Sequence, residues 1–288
     1  MIPPFDYKIP KTLQEACNLL WDYKGRAKVI AGGTDLVIAL RNESLKPEVL
    51  IDITRISELR AIEERDGMIC IGGAVTHSEI ASSPVIQKYG RILSDAVSEI
   101  GSPPIRNIGT IGGNIINASP AGDTIPPLLV LDAFATVVSV EGRKEVSLIN
   151  LFESPYKTTL RPYEILVNIQ FKKLPPSLRT GYVRLARREG MAIARMSVAV
   201  LLELEERGGV KEIRIAIGAV TPTPQRMSEA EEFLKGREPD EASLQKASYL
   251  ISEAIIRRSG IRPSTSYKRP VIEALFKRAV RQALEGQR

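Results

Sequence analysis

The sequence predicts an α+β protein of mixed α/β character, with its elements divided between two domains. Three observations carry this reading. Residues 27–40 read as a short buried strand that runs through Gly32-Gly33 into a helix. Residues 59–71 and 135–148 read as hairpins turning at Gly67 and Gly142. Beyond Pro175-Pro176, three strand-like runs are followed by helical ones, the pattern of an antiparallel meander covered by helices. The paired prolines mark the expected domain boundary.

Taken in order, Thr12 is placed to cap a helix carrying Leu13, Ala16, Leu19 and Leu20, ended by Gly25. The strand at 27–30 follows, then a helix from Leu36 capped by Thr34 or Asp35. Residues 49–53 read as a strand, and Thr76 as the cap of a helix beginning at His77. Residues 91–100 have helical spacing. The stretch from Gly101 to Asp123, with five glycines and three prolines in 23 residues, reads as neither helix nor strand. Pro126-Pro127 is expected to prevent a long regular helix before Leu128 to Leu131. Residues 164–172 are strongly β in composition. In the second domain, strands are expected at 181–187, 194–205 and 210–220, and helices at 229–234, 240–258 and 267–285.

Composition narrows the chemistry. The 288 residues are 43% hydrophobic and 26% charged, an ordinary globular mixture. No apolar run reaches the ~18–20 residues of a membrane span, and the N-terminal segment has neither a basic nor an apolar leader region, so a cytoplasmic location is expected. The net charge of +6 contains two local clusters, Arg179 to Arg188 and Arg257 to Arg269. Aromatic residues make up only 5% and do not interleave with them, which disfavours nucleic acid as a partner. An anionic cofactor, an acidic partner subunit or plain solvation accounts for the charge better. One histidine (His77) and two distant cysteines (Cys17, Cys70) cannot build a metal site or an iron–sulfur cluster. Both cysteines read as small core residues and His77 as a surface or cap-region residue.

The remaining signals are two glycine pairs. Ala31-Gly32-Gly33-Thr34-Asp35 links a strand to a helix, which offers main-chain N–H groups to an anion. Thr110-Ile111-Gly112-Gly113-Asn114 lacks two adjacent Cβ atoms, so a ligand can approach its backbone, and Thr110 and Asn114 add side-chain donors. A Gly-rich turn without a ligand explains either pair taken alone. Neither G-x-G-x-x-G nor the P-loop pattern occurs, so no known nucleotide fingerprint is matched.

Together the two turns resemble the FAD-binding medium subunit of the molybdenum hydroxylases, the xanthine, nicotinate and carbon monoxide dehydrogenase group. The resemblance extends over nearly the whole chain: Phe5 to Ala16, Ala31 to Asp35, Ile105 to Asn114, Tyr163 to Leu166, Arg187 to Ile193, and Ile215 to Arg226, the last most like the xanthine and nicotinate branch. It implies a two-lobed FAD-binding domain of the PCMH type at residues 1–175 (lobes about 1–55 and 56–175) and a C-terminal flavoprotein domain at 176–288. It implies that Lys28, Val29, Ile30, Ala31, Gly32, Gly33, Thr34 and Asp35, with Thr110, Ile111, Gly112, Gly113 and Asn114, hold the FAD pyrophosphate. Asp123 would bind ribose hydroxyls or the flavin edge, and Leu166 would pack on the cofactor. Arg184, where relatives often carry Lys, would reach the cofactor from the second domain, although the two side chains differ in geometry. The chain departs from the carbon monoxide branch at Ala192, which stands where that branch has an aromatic residue near the flavin.

The function so implied is an electron relay with no catalytic side chain and no metal ligand in this chain. A large molybdopterin subunit would hydroxylate the substrate and a small subunit with [2Fe–2S] clusters would conduct electrons. FAD here would pass them to NAD or another acceptor, in a heterotrimer or a dimer of heterotrimers. The variant with an additional [4Fe–4S] loop is excluded by ligand count. A self-sufficient flavoenzyme and a non-catalytic binding module are the alternative readings.

Overall fold

Thr12 opens the architecture as its sequence position predicts. In a computed structural model that describes residues 3–188, 190–261 and 263–286, its hydroxyl accepts from the Glu15 N–H at 3.1 Å. Helix α1 (Leu13–Tyr23) ends at Lys24, which adopts a left-handed conformation, followed by Gly25. The chain then alternates strand and helix. Strand β1 (Asp6–Lys8) precedes α1, and β2 (Ala27–Ile30), α2 (Leu36–Arg41) and β3 (Val49–Asp52) follow it. Because each helix returns the chain to the same edge, the three strands are parallel, in the order β1-β3-β2. Ala16, Cys17 and Leu20 of α1 pack on Val49 and Ile51 to close this small lobe.

The second lobe is antiparallel. Strands β4 (Ile62–Arg65) and β5 (Met68–Gly72) are joined by Asp66-Gly67, both at positive φ, the two-residue turn whose twist suits a hairpin. Six short helices come next: α3 (His77–Ser82), α4 (Pro84–Tyr89), α5 (Arg91–Ser98), α6 (Pro103–Ile108), α7 (Ile111–Asn117) and α8 (Ile125–Val130). Strands β6 (Phe134–Ser139), β7 (Gly142–Ser147), the small pair β8 (Phe152–Ser154) and β9 (Lys157–Thr158), and β10 (Ile165–Lys172) complete it. The sheet order is β4-β5-β10-β6-β7.

One expectation is corrected here. The stretch from Gly101 to Asp123 contains two helices, α6 and α7. Prolines at the first turn of α6 fix φ without sacrificing a needed donor, and Thr110 caps α7. Pro126 and Pro127 occupy the first turn of α8, and no long regular helix precedes Leu128, as expected.

Strands β11 (Arg179–Leu185), β12 (Met196–Leu204), β13 (Val210–Gly218) and β14 (Gln225–Arg226) form an antiparallel meander. Helices α9 (Ser228–Leu234), α10 (Glu241–Ser259) and α11 (Thr265–Glu285) pack against one face of it. The alternation along β12 is informative. Val198, Val200 and Leu202 face the helices, whereas Ala199 and Leu201 belong to the core shared with α5 and α8. A sheet buried on both faces needs an almost unbroken apolar strand, which β12 supplies. Gly181 lets α11 approach, since a Cβ there would lie 2.0 Å from the Ala279 carbonyl oxygen. Two arginines of the meander bind the last turn of α8: Arg214 donates to the Val130 carbonyl and Arg226 to that of Leu129, and both pair with Asp132. Among the described residues no helix is long and apolar enough to cross a membrane.

Candidate cofactor site

The first glycine turn begins where β2 ends. Lys28 is exposed, Val29 and Ile30 are partly buried, and the backbone from Ala31 to Thr34 is partly open to solvent, with Asp35 exposed. Gly33 takes a left-handed φ of 68°, which turns the chain into α2. From that point hydrogen bonding starts late: Val37 donates to Gly33 and Ala39 to Asp35. The N–H groups of Gly32, Gly33, Thr34 and Asp35 therefore donate to no acceptor among the described residues. Asp35 stands at the cap position of α2, but its side chain makes no capping bond. Four adjacent donors on an accessible turn are what a phosphate dianion requires.

The second turn behaves differently. Thr110 Oγ1 accepts from the Gly113 N–H at 3.1 Å, and the Thr110 carbonyl from Asn114. Ile111 donates to Val75 and Gly112 to Gly73, each at 3.0 Å. The N–H groups expected to face an anion are thus engaged within the protein. The two glycines also divide the work. A Cβ on Gly112 would lie 2.5 Å from the Gly73 carbonyl oxygen, so its absence serves helix packing. A Cβ on Gly113 would meet only Thr110 Oγ1, at 3.0 Å, so its absence leaves an exposed opening. Thr110, Ile111 and Gly112 are buried, and Asn114 is partly exposed. The Asn114 side-chain oxygen accepts from Thr124 at 2.6 Å, which leaves its amide NH2 as a donor.

The two turns, roughly 80 residues apart in sequence, touch. A Cβ on Gly32 would fall 1.9 Å from the Ile108 carbonyl oxygen and 2.9 Å from Gly109 Cα. Glycine at position 32 is what allows the junction of α6 and α7 to lie against the β2–α2 turn. Directly behind that junction is His77. It occupies the first position of α3 and its N–H donates to the Gly109 carbonyl, so the cap-region expectation holds, but its side chain is buried at 3% exposure. Nδ1 has no hydrogen-bond partner, and burial together with the nearby Arg106 charge lowers the imidazole pKa to about 4. His77 is therefore neutral at pH 7.

Asp123 and Arg184, both expected to face a cofactor, face each other. Arg184 Nε donates to Asp123 Oδ1 at 3.1 Å, and the Tyr182 hydroxyl donates to the same oxygen at 3.1 Å. Burial outweighs these partners and raises the Asp123 carboxyl to about 6. An outer nitrogen of Arg184 donates to the Ala192 carbonyl, and Glu99 lies 3.8 Å away. The arginine side chain is only 3% exposed. Leu166, on β10, is buried beside Gly73. Tyr182 and Gly73 carry no readable signal for this site: one is 59 residues from its carboxylate partner, and the other acts through a main-chain carbonyl that any residue has. Among the described residues no group of His, Cys, Asp and Glu is placed to hold a metal ion.

Known proteins resemble this chain in sequence and fold. Residues 3–173 match the family described as the FAD binding domain in molybdopterin dehydrogenase, and residues 181–283 the CO dehydrogenase flavoprotein C-terminal domain. The nicotinate dehydrogenase FAD-subunit of Eubacterium barkeri is 31% identical over 95% of this chain and 94% of its own length. The xanthine dehydrogenase FAD-binding subunit of Escherichia coli O157:H7 is 31% identical over 96% of this chain and 95% of its own. A solved carbon monoxide dehydrogenase chain from Hydrogenophaga pseudoflava, from a form lacking the Mo-pyranopterin moiety, superposes with a TM-score of 0.93 at 31% identity, covering 99% of each chain.

Proposed function

Because the chain belongs to the FAD-binding subunits of the molybdenum hydroxylases, we propose that it is the electron-transfer subunit of a multi-subunit dehydrogenase of the xanthine dehydrogenase type. Its partners are a large molybdopterin subunit and a small iron–sulfur subunit, in a heterotrimer or a dimer of heterotrimers. The bound FAD would supply the redox chemistry, taking electrons from [2Fe–2S] clusters of the small subunit and delivering them to NAD or another acceptor.

The observation that carries this reading is the unsatisfied row of N–H groups from Gly32 to Asp35. They would hold the pyrophosphate without any cationic side chain. The strand leading to them, Lys28 to Ile30, and Ala31 set their direction. Gly113 leaves room for the anion and Asn114 offers an amide, with Thr110, Ile111 and Gly112 fixing both in place. Leu166 would border the cofactor from β10, and Asp123 and Arg184 would border it as a neutralised pair. No side chain here is asked to act as acid, base or nucleophile, and the chain's task is binding and orientation. The boundary between the FAD-binding and C-terminal domains is proposed between residues 173 and 181, where the two family matches leave a gap. A cytoplasmic location follows from the same reading.

The identity to the nicotinate, xanthine and carbon monoxide relatives is the same 31%, so the branch rests on the Ile215 to Arg226 segment and on Ala192, and the substrate itself binds another chain. Co-expression with a candidate large molybdopterin subunit and small iron–sulfur subunit tests the assignment. The complex should oxidise a heterocycle or aldehyde, and the isolated chain should bind flavin but turn over none of them. Full turnover by the isolated chain would establish a self-sufficient flavoenzyme instead.

A further inference from the structure

Asn114 stands beside the opening at Gly113 with half of its side-chain amide engaged. Its Oδ1 accepts from the Thr124 hydroxyl at 2.6 Å. Its Nδ2 meets no acceptor among the described residues and is not enclosed, so the NH2 group is open to solvent. The two ends of an asparagine amide have nearly the same shape, but only one of them donates. Which end faces outward is decided by the start of the next helix.

Thr124 occupies the cap position of α8 and is fully buried. A threonine there ordinarily accepts from the N–H of the second or third helical residue. In α8 those residues are Pro126 and Pro127, which have no N–H, and the Thr124 side chain makes no capping bond. The hydroxyl is thus idle in its own helix, while its buried proton still needs an acceptor. Among the described residues, Asn114 Oδ1 is the acceptor it finds. With the amide reversed, the NH2 group would donate to the hydroxyl and strand the hydroxyl proton, the costly case for a buried donor. Gly122 leaves room for the pair, since a Cβ there would lie 2.9 Å from Ile125 Cδ1 and 3.3 Å from Asn114 Oδ1.

We propose that Thr124 is a positioning residue of the cofactor site: it locks the Asn114 amide with the NH2 group outward, so that the turn presents a directed donor to the FAD pyrophosphate. The inference rests on the FAD-binding reading above. Thr124 is itself shielded from any ligand and acts through Asn114. An anion accepts from NH2, whereas a reversed amide would set a carbonyl oxygen against it. The paired prolines of α8 therefore serve the site by withholding the N–H groups that would otherwise occupy the hydroxyl.

The test titrates FAD into the full chain after removal of its flavin, followed by flavin fluorescence. Thr124→Val, which keeps the shape and removes the hydroxyl, should weaken FAD binding about tenfold, and Thr124→Ser should restore it. Asn114→Ala should also lose about tenfold. In the Asn114→Ala background Thr124→Val should cost nothing further, because no amide is left to orient. Asn114→Asp still accepts from Thr124 but turns a negative oxygen toward the ligand, and should lose at least about tenfold more than Asn114→Ala. The proposal is overturned if Thr124→Val binds FAD like wild type, or if its loss adds in full to that of Asn114→Ala. It is also overturned if Asn114→Asp binds no worse than Asn114→Ala. Circular dichroism accompanies each variant, and Thr124→Ala replaces Thr124→Val if the latter does not fold. In wild type, the Asn114 side-chain NH2 resonance, identified by its loss in Asn114→Ala, should shift on addition of FAD, and an unmoved resonance overturns the proposal by itself. A folded wild-type chain that takes up no FAD removes the FAD-binding reading, whereas FAD binding untouched by Thr124→Val removes only this proposal.

Discussion

Arg184 joins Asp123 to Ala192: its Nε donates to the carboxylate at 3.1 Å while an outer nitrogen donates to the Ala192 carbonyl. One guanidinium thereby ties the α7–α8 connection, strand β11 and the loop 186–195 together. A lysine ammonium is a compact point charge without a planar fork, and it cannot span both acceptors in the same way. Arg184→Lys is expected to keep the fold but loosen the loop, with the Met191 amide exchanging about tenfold faster than in wild type. Hydrogen exchange on the two proteins checks this. Unchanged exchange would show that the loop is held by its other contacts.

Asp123 and His77 should shape the pH dependence of stability in opposite directions. The folded Asp123 carboxyl titrates at about 6, above its ordinary 3.8, so its contribution is fully present below pH 3.8 and is lost as pH rises through 6. The folded His77 imidazole titrates at about 4, below its ordinary 6.5, so the unfolded chain binds the extra proton and stability is lost as pH falls from 6.5 to 4. Each effect amounts to about 3 kcal/mol at its limit, and across pH 4–6 the two nearly cancel. Relative to wild type, His77→Gln should gain stability on going from pH 7 to pH 4, and Asp123→Asn should lose it. Urea midpoints of the three proteins at a series of pH values test both signs. Parallel curves would contradict both shifts.

Gly32 and Gly113 should respond oppositely to a methyl group. Gly32→Ala forces a Cβ into the backbone at Ile108–Gly109, where no flexible side chain can yield. A loss of about 2–4 kcal/mol is expected, with separation of the two turns. Gly113→Ala meets only a hydroxyl oxygen and sits in the first turn of α7, so its effect on stability should be within about 1 kcal/mol of zero. Thermal denaturation distinguishes the two. Equal destabilisation would mean that the contact between the turns does not hold them.

Arg226 anchors the far side of the meander. It makes paired hydrogen bonds to Glu231 at 2.7 and 3.0 Å, binds Asp132 at 2.6 Å and donates to the Leu129 carbonyl at 3.2 Å. Arg226→Ala strands Glu231, which also accepts from the Ile215 N–H and is buried. A loss of about 3–5 kcal/mol is expected, read from the denaturant midpoint. Arg226→Met should cost a similar amount, because the charge and not the volume is what Glu231 lacks. Near-wild-type stability in both variants would show that Glu231 is satisfied without the arginine.

Much of this was legible in the sequence where a local rule decides. The Thr12 cap, the Asp66-Gly67 hairpin and the apolar run of β12 all depend on neighbouring residues, and all three were readable. What escaped depends on contacts between distant segments. Helix α7 exists because Ile111 and Gly112 find acceptors at Val75 and Gly73, which glycine content alone argues against. His77 is buried because the α6–α7 junction lies over it, with the His77 N–H bound to the Gly109 carbonyl. At the site, the glycine pairs were visible as motifs, but their division of labour was not. Only the three-dimensional hydrogen bonding separates the open donors of Gly32 to Asp35 from the satisfied ones of Ile111 to Asn114.

The central proposal is that the turn from Ala31 to Asp35, with the opening at Gly113, holds the FAD pyrophosphate. The most direct measurement is flavin absorbance near ~450 nm in the chain purified alone, wild type beside Gly113→Asp. Wild type should carry FAD or take it up on addition. The variant, with a carboxylate set at the opening, should keep its fold by circular dichroism and lose the flavin. A folded Gly113→Asp protein that retains FAD like wild type would place the pyrophosphate elsewhere and contradict the claim.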